Sequence, residues 1–293
     1  MPRGLLAILL HRTRATPKTI RAARATRKYL LYVPQNLSTE GRVPLVLMFQ
    51  GSGNLAAHMP GLTGFDEYAE SEHFIVAYPQ GLGRRWNDGR GDCLADDLTL
   101  VNVLLDQLLR AYPIEERRVY AAGFSSGGFF ANRLGCELGD RISAIAAVGA
   151  TVAEPVAASA KPLRPVSALF VHGDRDPLVP IQGGKVGLRS GSAHGRCLSL
   201  EDAIDFWRGI DGIEGPPAID EIPDRARDGT TVRRASWPGG KNHAQVEAYF
   251  VHGGGHAWPG GPQFLPKFLI GCASGNLDAT RAICAFFDQH SLT

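Results

Sequence analysis

The stretch Val119-Tyr120-Ala121-Ala122-Gly123-Phe124-Ser125-Ser126-Gly127-Gly128 constrains the fold of this chain more than any other. An apolar, β-prone run enters it and a helix-compatible segment, Phe129 to Leu138, leaves it. A strand that turns directly into a helix around Gly-x-Ser-x-Gly turns very tightly. The positions two residues from the serine then have no room for a Cβ. Ser125 projects from the apex of such a turn, and Ser126 becomes the first helical residue. The Ser126 N–H, an orphan donor at a helix start, points to where negative charge develops on an attacked carbonyl. A Gly/Ser-rich connection with no chemistry reads the same way, so the rest of the chain has to decide.

Strands alternate with helices from residue 43 onwards. Val43 to Phe49, Phe74 to Pro79, Ile142 to Val148 and Val166 to Val171 are apolar runs of the kind buried on both faces of a parallel sheet. Thr63 to Glu70, Asp96 to Arg110, Phe129 to Leu138, Ser199 to Ile210 and Asn276 to His290 read as helices. Thr230–Ser236 and Gln245–Val251 alternate like strands, whereas 151–165 and 211–229 read as loop or irregular structure. This order predicts an α/β fold with a mostly parallel central sheet and helices on both faces. The length of 293 residues and the absence of internal repeats fit a single domain.

Folded structure is expected to begin at Lys28-Tyr29-Leu30-Leu31-Tyr32-Val33-Pro34, an edge-strand pattern closed by proline. Residues 1–27 read as a basic leader, either a poor signal peptide or an extension that does not fold. Gly4 to Leu10 is a short apolar run behind Arg3, followed by a long basic stretch where a polar cleavage region belongs. Residues 1–28 hold eight Arg/Lys and no acid, which leaves 23 basic against 29 acidic residues in the remainder. A mildly acidic body argues against a nucleic-acid partner, and no apolar run reaches the roughly 18 residues of a membrane span. The five cysteines (Cys93, Cys136, Cys197, Cys272, Cys284) lack C-x-x-C spacing, which disfavours a metal or dithiol site. One or two disulfides remain open if the protein is exported, with unreadable pairing.

Three polar constellations follow predicted strand ends, where open α/β sheets place their ligands. They occur in the order Ser125, Asp176, His256, which is the Ser…Asp…His order of an α/β-hydrolase. A serine hydroxyl is a poor nucleophile until a base within reach takes its proton. His256, on a glycine-rich loop, is the candidate base, with His252 and His243 as competitors. Asp176 is the candidate for holding the imidazole tautomer, and Asp174 competes for that role. His172, at a strand end, reads as a structural histidine. The N–H groups of Ser52, in Gln50-Gly51-Ser52-Gly53-Asn54, and Ser126 are candidate oxyanion donors, each typically worth ~3–4 kcal/mol. Trp86 and Trp258 read either as loop packing or as two sides of a cleft clasping an acyl group. Asp96-Asp97 reads better as a helix N-cap than as a metal ligand.

Several segments together resemble the polyhydroxybutyrate depolymerase and feruloyl esterase group, the esterase-D-like branch of the α/β-hydrolases, which includes LpqC-like lipoproteins. They are Tyr78-Pro79-Gln80-Gly81 followed by Trp86-Asn87-Asp88-Gly89, Ala95-Asp96-Asp97 before a helix, and Gly253-Gly254-Gly255-His256-Ala257-Trp258-Pro259-Gly260. The similarity runs over most of residues 28–290. It implies a serine carboxylic-ester hydrolase that cleaves short-chain, hydroxyalkanoate or feruloyl esters through an acyl-enzyme, with no metal or organic cofactor. The substrate would be a small or polymeric ester, and the location extracellular or at the cell envelope. The group's acid lies in a segment like His172-Gly173-Asp174-Arg175-Asp176-Pro177-Leu178-Val179-Pro180 and falls on Asp176; its base falls on His256. One position departs from the group: its oxyanion loop usually reads Leu-His-Gly, and here it is Phe49-Gln50-Gly51.

Overall fold

The apolar runs form the centre of one sheet in the computed structural model, which describes residues 4, 6, 8, 11, 13–22, 24–37, 41–91, 93–187 and 194–292. In chain order the strands among them are β1 (Thr16–Ala22), β2 (Ala25–Tyr32), β3 (Val43–Phe49), β4 (Ile75–Pro79), β5 (Ile114–Phe124), β6 (Ala144–Val148), β7 (Ser167–Gly173), β8 (Gly184–Lys185), β9 (Arg196–Cys197), β10 (Ala218–Ile222), β11 (Thr231–Trp237) and β12 (Val246–His252). Ten of these make a sheet in the order β1-β2-β4-β3-β5-β6-β7-β12-β11-β10, and β8 pairs with β9 separately. The six strands from β4 to β12 in that order are mutually parallel. Antiparallel strands flank them on both sides.

Successive side chains on a strand point to opposite faces, so a fully apolar strand feeds two cores. Leu45, Leu47 and Phe49 of β3 join one core; Val46 and Met48 join the other. The helices are α1 (Met59–Thr63), α2 (Phe65–Glu72), α3 (Asp97–Ala111), α4 (Ser126–Glu137), α5 (Glu154–Ser159), α6 (Leu200–Asp211), α7 (Lys267–Ile270) and α8 (Ala279–Asp288). Leu104 of α3, Phe130 of α4 and Trp207 of α6 cover the first face, whereas Leu62 of α1, Phe65 of α2 and Phe286 of α8 cover the second. Each such buried side chain contributes roughly 1.5–3 kcal/mol relative to exposure. Local chemistry sets the helix starts. The Asp96 carboxylate accepts from Thr99 N–H, Ser199 Oγ from Asp202 N–H, and Asp278 from Arg281 N–H.

Several expectations are corrected. The sheet begins upstream of Lys28: β1 pairs antiparallel with β2 from Thr16 opposite Leu31 to Ala22 opposite Ala25. Ile20 and Ala22 reach the core beside Tyr29 and Leu31, an inward alternation masked in the sequence by exposed Lys18, Thr19 and Arg21. The segment 28–34 is therefore no edge; β1 takes that place. Pro155 lies in the first turn of α5, where proline fits without losing a bond, so the Pro-containing stretch 151–165 holds a helix. The stretch 211–229 contains β10, whose side chains are mostly exposed and so carry no apolar period. All five cysteines are free. Gly64, at φ 69°, divides the expected 63–70 helix into α1 and α2. In the run Gly4 to Leu10, Gly4, Leu6 and Ile8 are helical and the other four lie outside the described residues. No helix among the described residues is long and apolar enough to cross a membrane.

Candidate active site

The serine turn is built as tightly as its glycines require. β5 ends at Phe124, α4 begins at Ser126, and Ser125 between them holds φ 56° and ψ −121°, a region L-residues occupy only where surrounding contacts enforce it. Its N–H donates to the Val148 carbonyl of β6 at 2.9 Å. A Cβ on Gly123 would lie 2.1 Å from the Gly127 carbonyl, and one on Gly127 would lie 2.2 Å from the Phe49 carbonyl oxygen. Both glycines are thus present for close backbone approach. Gly128 and Phe129 N–H groups donate to the Ser125 carbonyl. The Ser126 N–H, at the first helical position, has no carbonyl above it in the helix.

Four loops that follow parallel strands converge here. The loop after β3 brings Gly51, Ser52, Gly53 and Asn54; β5 brings Phe124 and Ser125; the loop after β7 brings Asp176 to Val179; the loop after β12 brings His256. Ser52, Ser125 and His256 line one cavity of about 550 Å³. Asp176 Oδ2 accepts from His256 Nδ1 at 2.7 Å, and its Oδ1 accepts from the N–H groups of Leu178 and Val179, each at 2.8 Å. The carboxylate is thus oriented at both oxygens. Burial pushes the Asp176 carboxyl up, but His256 and these hydrogen bonds outweigh burial and hold it below the ordinary carboxylate value. With Nδ1–H committed to Asp176, the Nε2 lone pair of a neutral His256 is free to accept a proton. Ser125 Oγ makes no hydrogen bond among the described residues. Such bonds are often long before substrate binds.

The competing candidates sit elsewhere. Asp174 pairs with His252 at 3.2 Å and accepts from Gly253 N–H on the surface, with the His252 side chain half-exposed. His243 is exposed, in a short turn after β11. His172 is buried, its Nε2–H donating to the Val179 carbonyl at 2.9 Å. Burial pushes its imidazole down against the opposing pull of Asp176, so it is neutral and props the acid loop. Asp97 pairs with buried Arg27 at 2.6 Å beside the Asp96 cap. Among the described residues no group of three or more His, Cys, Asp or Glu side chains is placed to hold a metal ion.

The cleft role expected of Trp86 and Trp258 is corrected. Both are about fully buried, at 1% exposure, and neither lines the cavity. Trp86 stacks on Phe130 at 5.0 Å and donates Nε1–H to the Gln50 carbonyl at 3.0 Å, tying down the loop that carries Ser52. Trp258 donates to Thr280 Oγ1 of α8 at 3.0 Å and packs on Phe65 and Phe124, fixing the loop that carries His256. An indole needs a partner for its N–H and a large apolar bed, and both loops provide these inside the protein. The Gln50 side-chain amide is buried with no hydrogen-bond partner among the described residues.

The cavity wall comes instead from Phe124, Phe264, Leu265 and Leu178 on apolar sides and from Arg90 and His58 on polar ones. Arg90 is held by Asp88 at 2.6 Å and lies 4.2 Å over the Phe129 ring. None of these is a site candidate in the sequence; the position of Phe124 directly before the serine is the one available signal, and Phe264 and Leu265 carry none until the chain has folded.

No protein-family model matches the chain. It is 30% identical over 275 residues to the "Putative esterase NocK" of Nocardia uniformis subsp. tsuyamanensis, covering 89% of this chain and 79% of that protein. It is 24% identical over 237 residues to feruloyl esterase B of Piromyces equi, covering 79% of this chain but only 42% of that protein's length. Among solved structures, a thermostable esterase superposes with a TM-score of 0.62 at 16% identity, over 98% of this chain and 64% of that one. The acetyl xylan esterase from Aspergillus awamori superposes at 0.59 and 13% identity, over 83% and 94%. These two structural likenesses establish the α/β-hydrolase fold. With the identity and coverage of the Nocardia relative, the chain belongs to the esterase family of that fold, the carboxylic-ester hydrolases.

Proposed function

We propose that the chain hydrolyses carboxylic esters through an acyl-enzyme formed on Ser125. The observation that carries this reading is the 2.7 Å contact of His256, in the cavity that Ser125 enters from a strained turn, with an Asp176 anchored behind the cavity wall. Ser125 Oγ attacks the ester carbonyl carbon as its proton passes to His256 Nε2. The oxyanion meets the N–H groups of Ser52 and Ser126. The carbon–oxygen bond to the alcohol then breaks, and His256 returns the proton to the departing oxygen. Water, deprotonated by the same imidazole, attacks the acyl carbonyl and releases the acid with Ser125 restored. Asp176 holds Nδ1–H throughout and stabilises the imidazolium.

The acyl group is short-chain, hydroxyalkanoate or feruloyl. Phe124 and Phe264, in edge-to-face contact with centroids 6.0 Å apart, form an aromatic wall of the cavity against which a planar acyl ring can pack, which supports the aromatic choice. The feruloyl esterase named in Piromyces supports it further, and family resemblance favours an extracellular or cell-envelope location. The test is intact-mass spectrometry after a fluorophosphonate, with Ser125→Ala in parallel, followed by an acetate, ferulate and hydroxybutyrate ester panel. One adduct that disappears in the variant is expected. No adduct on folded wild-type protein overturns the reading and leaves a hydrolase-fold binding protein, with the unpartnered Gln50 amide the first place to look.

A further inference from the structure

The loop that carries Ser52 returns to the cavity wall at His58, directly before α1. His58 Nδ1 lies 2.7 Å from Asn54 Oδ1, and the same oxygen accepts the Leu55 N–H at 3.0 Å. A backbone N–H only donates, so the Asn54 atom it meets is the amide oxygen and not the amide nitrogen. An amide oxygen only accepts, so the ring proton of His58 sits on Nδ1. Burial and the Arg84 charge push this imidazole down, which leaves it uncharged at neutral pH. Nε2 therefore carries a lone pair. It makes no hydrogen bond among the described residues, and it belongs to a half-buried side chain on the wall without being a buried unpaired atom, so it stands open.

The other polar side chains of the wall offer nothing equivalent. Arg90 only donates, and Asp88 and the His194 carbonyl hold it. Asn54 Oδ1 already accepts two N–H groups. The Ser52 hydroxyl can donate or accept and so selects for neither. His256 Nε2 serves the Ser125 proton. An ester group itself has acceptors only. A plain acyl chain that covers His58 thus strips water from Nε2 and gives it no donor, whereas a hydroxyl on the substrate replaces that water.

We propose that His58 Nε2 accepts the hydrogen of a substrate hydroxyl, so that the cavity selects hydroxyl-bearing esters over their deoxy analogues. The proposal rests on the ester-hydrolase reading and adds a specificity-determining residue to it. Two sources carry such a hydroxyl, the phenol of an aromatic acyl group and the aliphatic hydroxyl of a hydroxyalkanoyl group. His58 shares the wall with Phe124 and Phe264, which favours the phenol of a ring packed on them.

The test measures kcat and KM of the full chain on two matched pairs, methyl p-coumarate against methyl cinnamate and methyl 3-hydroxybutyrate against methyl butyrate. Wild type is expected to prefer the hydroxylated member of one pair, and that pair names the source. His58→Leu is expected to lower the hydroxyl-to-deoxy ratio of kcat/KM about fivefold, the effect of one neutral hydrogen bond, mainly through KM. His58→Gln, whose side-chain oxygen can accept, is expected to recover part of the ratio. His58 also braces the Ser52 loop through Asn54, but a disturbed loop slows both members of a pair alike and leaves their ratio at the wild-type value. An unchanged ratio in His58→Leu therefore overturns the proposal, as does a wild-type ratio near one in both pairs. A folded wild-type protein that hydrolyses none of the four esters and takes no fluorophosphonate overturns the ester-hydrolase reading, and this proposal with it.

Discussion

On the proposed mechanism, replacing Asp176 by Asn separates the two jobs of its carboxylate. Oδ1 accepts the Leu178 and Val179 N–H groups, and Oδ2 accepts from His256 Nδ1. The two backbone donors fix the oxygen of the new side-chain amide on their side, so its NH2 must face Nδ1. The imidazole then accepts at Nδ1, carries its proton on Nε2, and has no lone pair for the Ser125 hydroxyl. The loop keeps its shape and the reaction loses its base. Loss of the correct tautomer in serine hydrolases lowers kcat by about 10⁴-fold, equivalent to about 5.5 kcal/mol of transition-state stabilisation. The assay is kcat/KM on p-nitrophenyl acetate, with circular dichroism to verify folding. Asp174→Asn is the control, because its carboxylate serves exposed His252 and Gly253; a change of less than about twofold is expected for a surface substitution. An Asp176→Asn enzyme retaining more than a tenth of wild-type activity would refute the tautomer argument. An equal loss in Asp174→Asn would show that the acid has been misassigned.

Gly127→Ala should cost several kcal/mol, on the order of other overpacked sites, because its Cβ would lie 2.2 Å from a backbone oxygen of β3; urea unfolding measures this, and an unchanged midpoint would contradict the packing. Asp211 is buried, and burial pushes its carboxyl from 3.8 to about 7. A raised carboxyl binds protons in the native state, so stability is fully present below 3.8 and declines as pH rises to about 7. Asp211→Asn should therefore be more stable than wild type at pH 8 by up to about 4 kcal/mol, with the difference closing by about pH 4; a pH-independent difference would contradict the assignment. Phe264→Ala should lower kcat/KM about tenfold on a ferulate ester and leave the acetate ester little changed, and equal losses on both would remove Phe264 from acyl recognition.

Much of the fold was legible because its signals are local. β3 and β6 are apolar along their length, and only a strand buried on both faces tolerates that. Asp96, Ser199 and Asp278 mark helix starts through bonds to residues three positions on. The glycines at 123 and 127 announce the turn because only a strand leading straight into a helix crowds those two positions. Where the signal was not local, reading failed. β1 and β10 expose most of their side chains and exist because β2 and β11 offer them hydrogen-bond partners. Trp258 stands two positions from His256 and Trp86 lies in a separate polar loop, yet both rings turn inward, to Thr280 and Phe130, residues more than twenty positions away.

By itself, then, the amino-acid order determined the parallel α/β core, the serine turn and the succession Ser125, Asp176, His256, since each follows from periodicity, sterics or sequence spacing. Tertiary structure decided which aspartate meets which histidine, for Asp174 and His252 are as close in the chain as the pair that lines the site. It also decided what walls the cavity. Those outcomes depend on the angle at which loops leave neighbouring strands, which is set by packing between residues far apart in the chain.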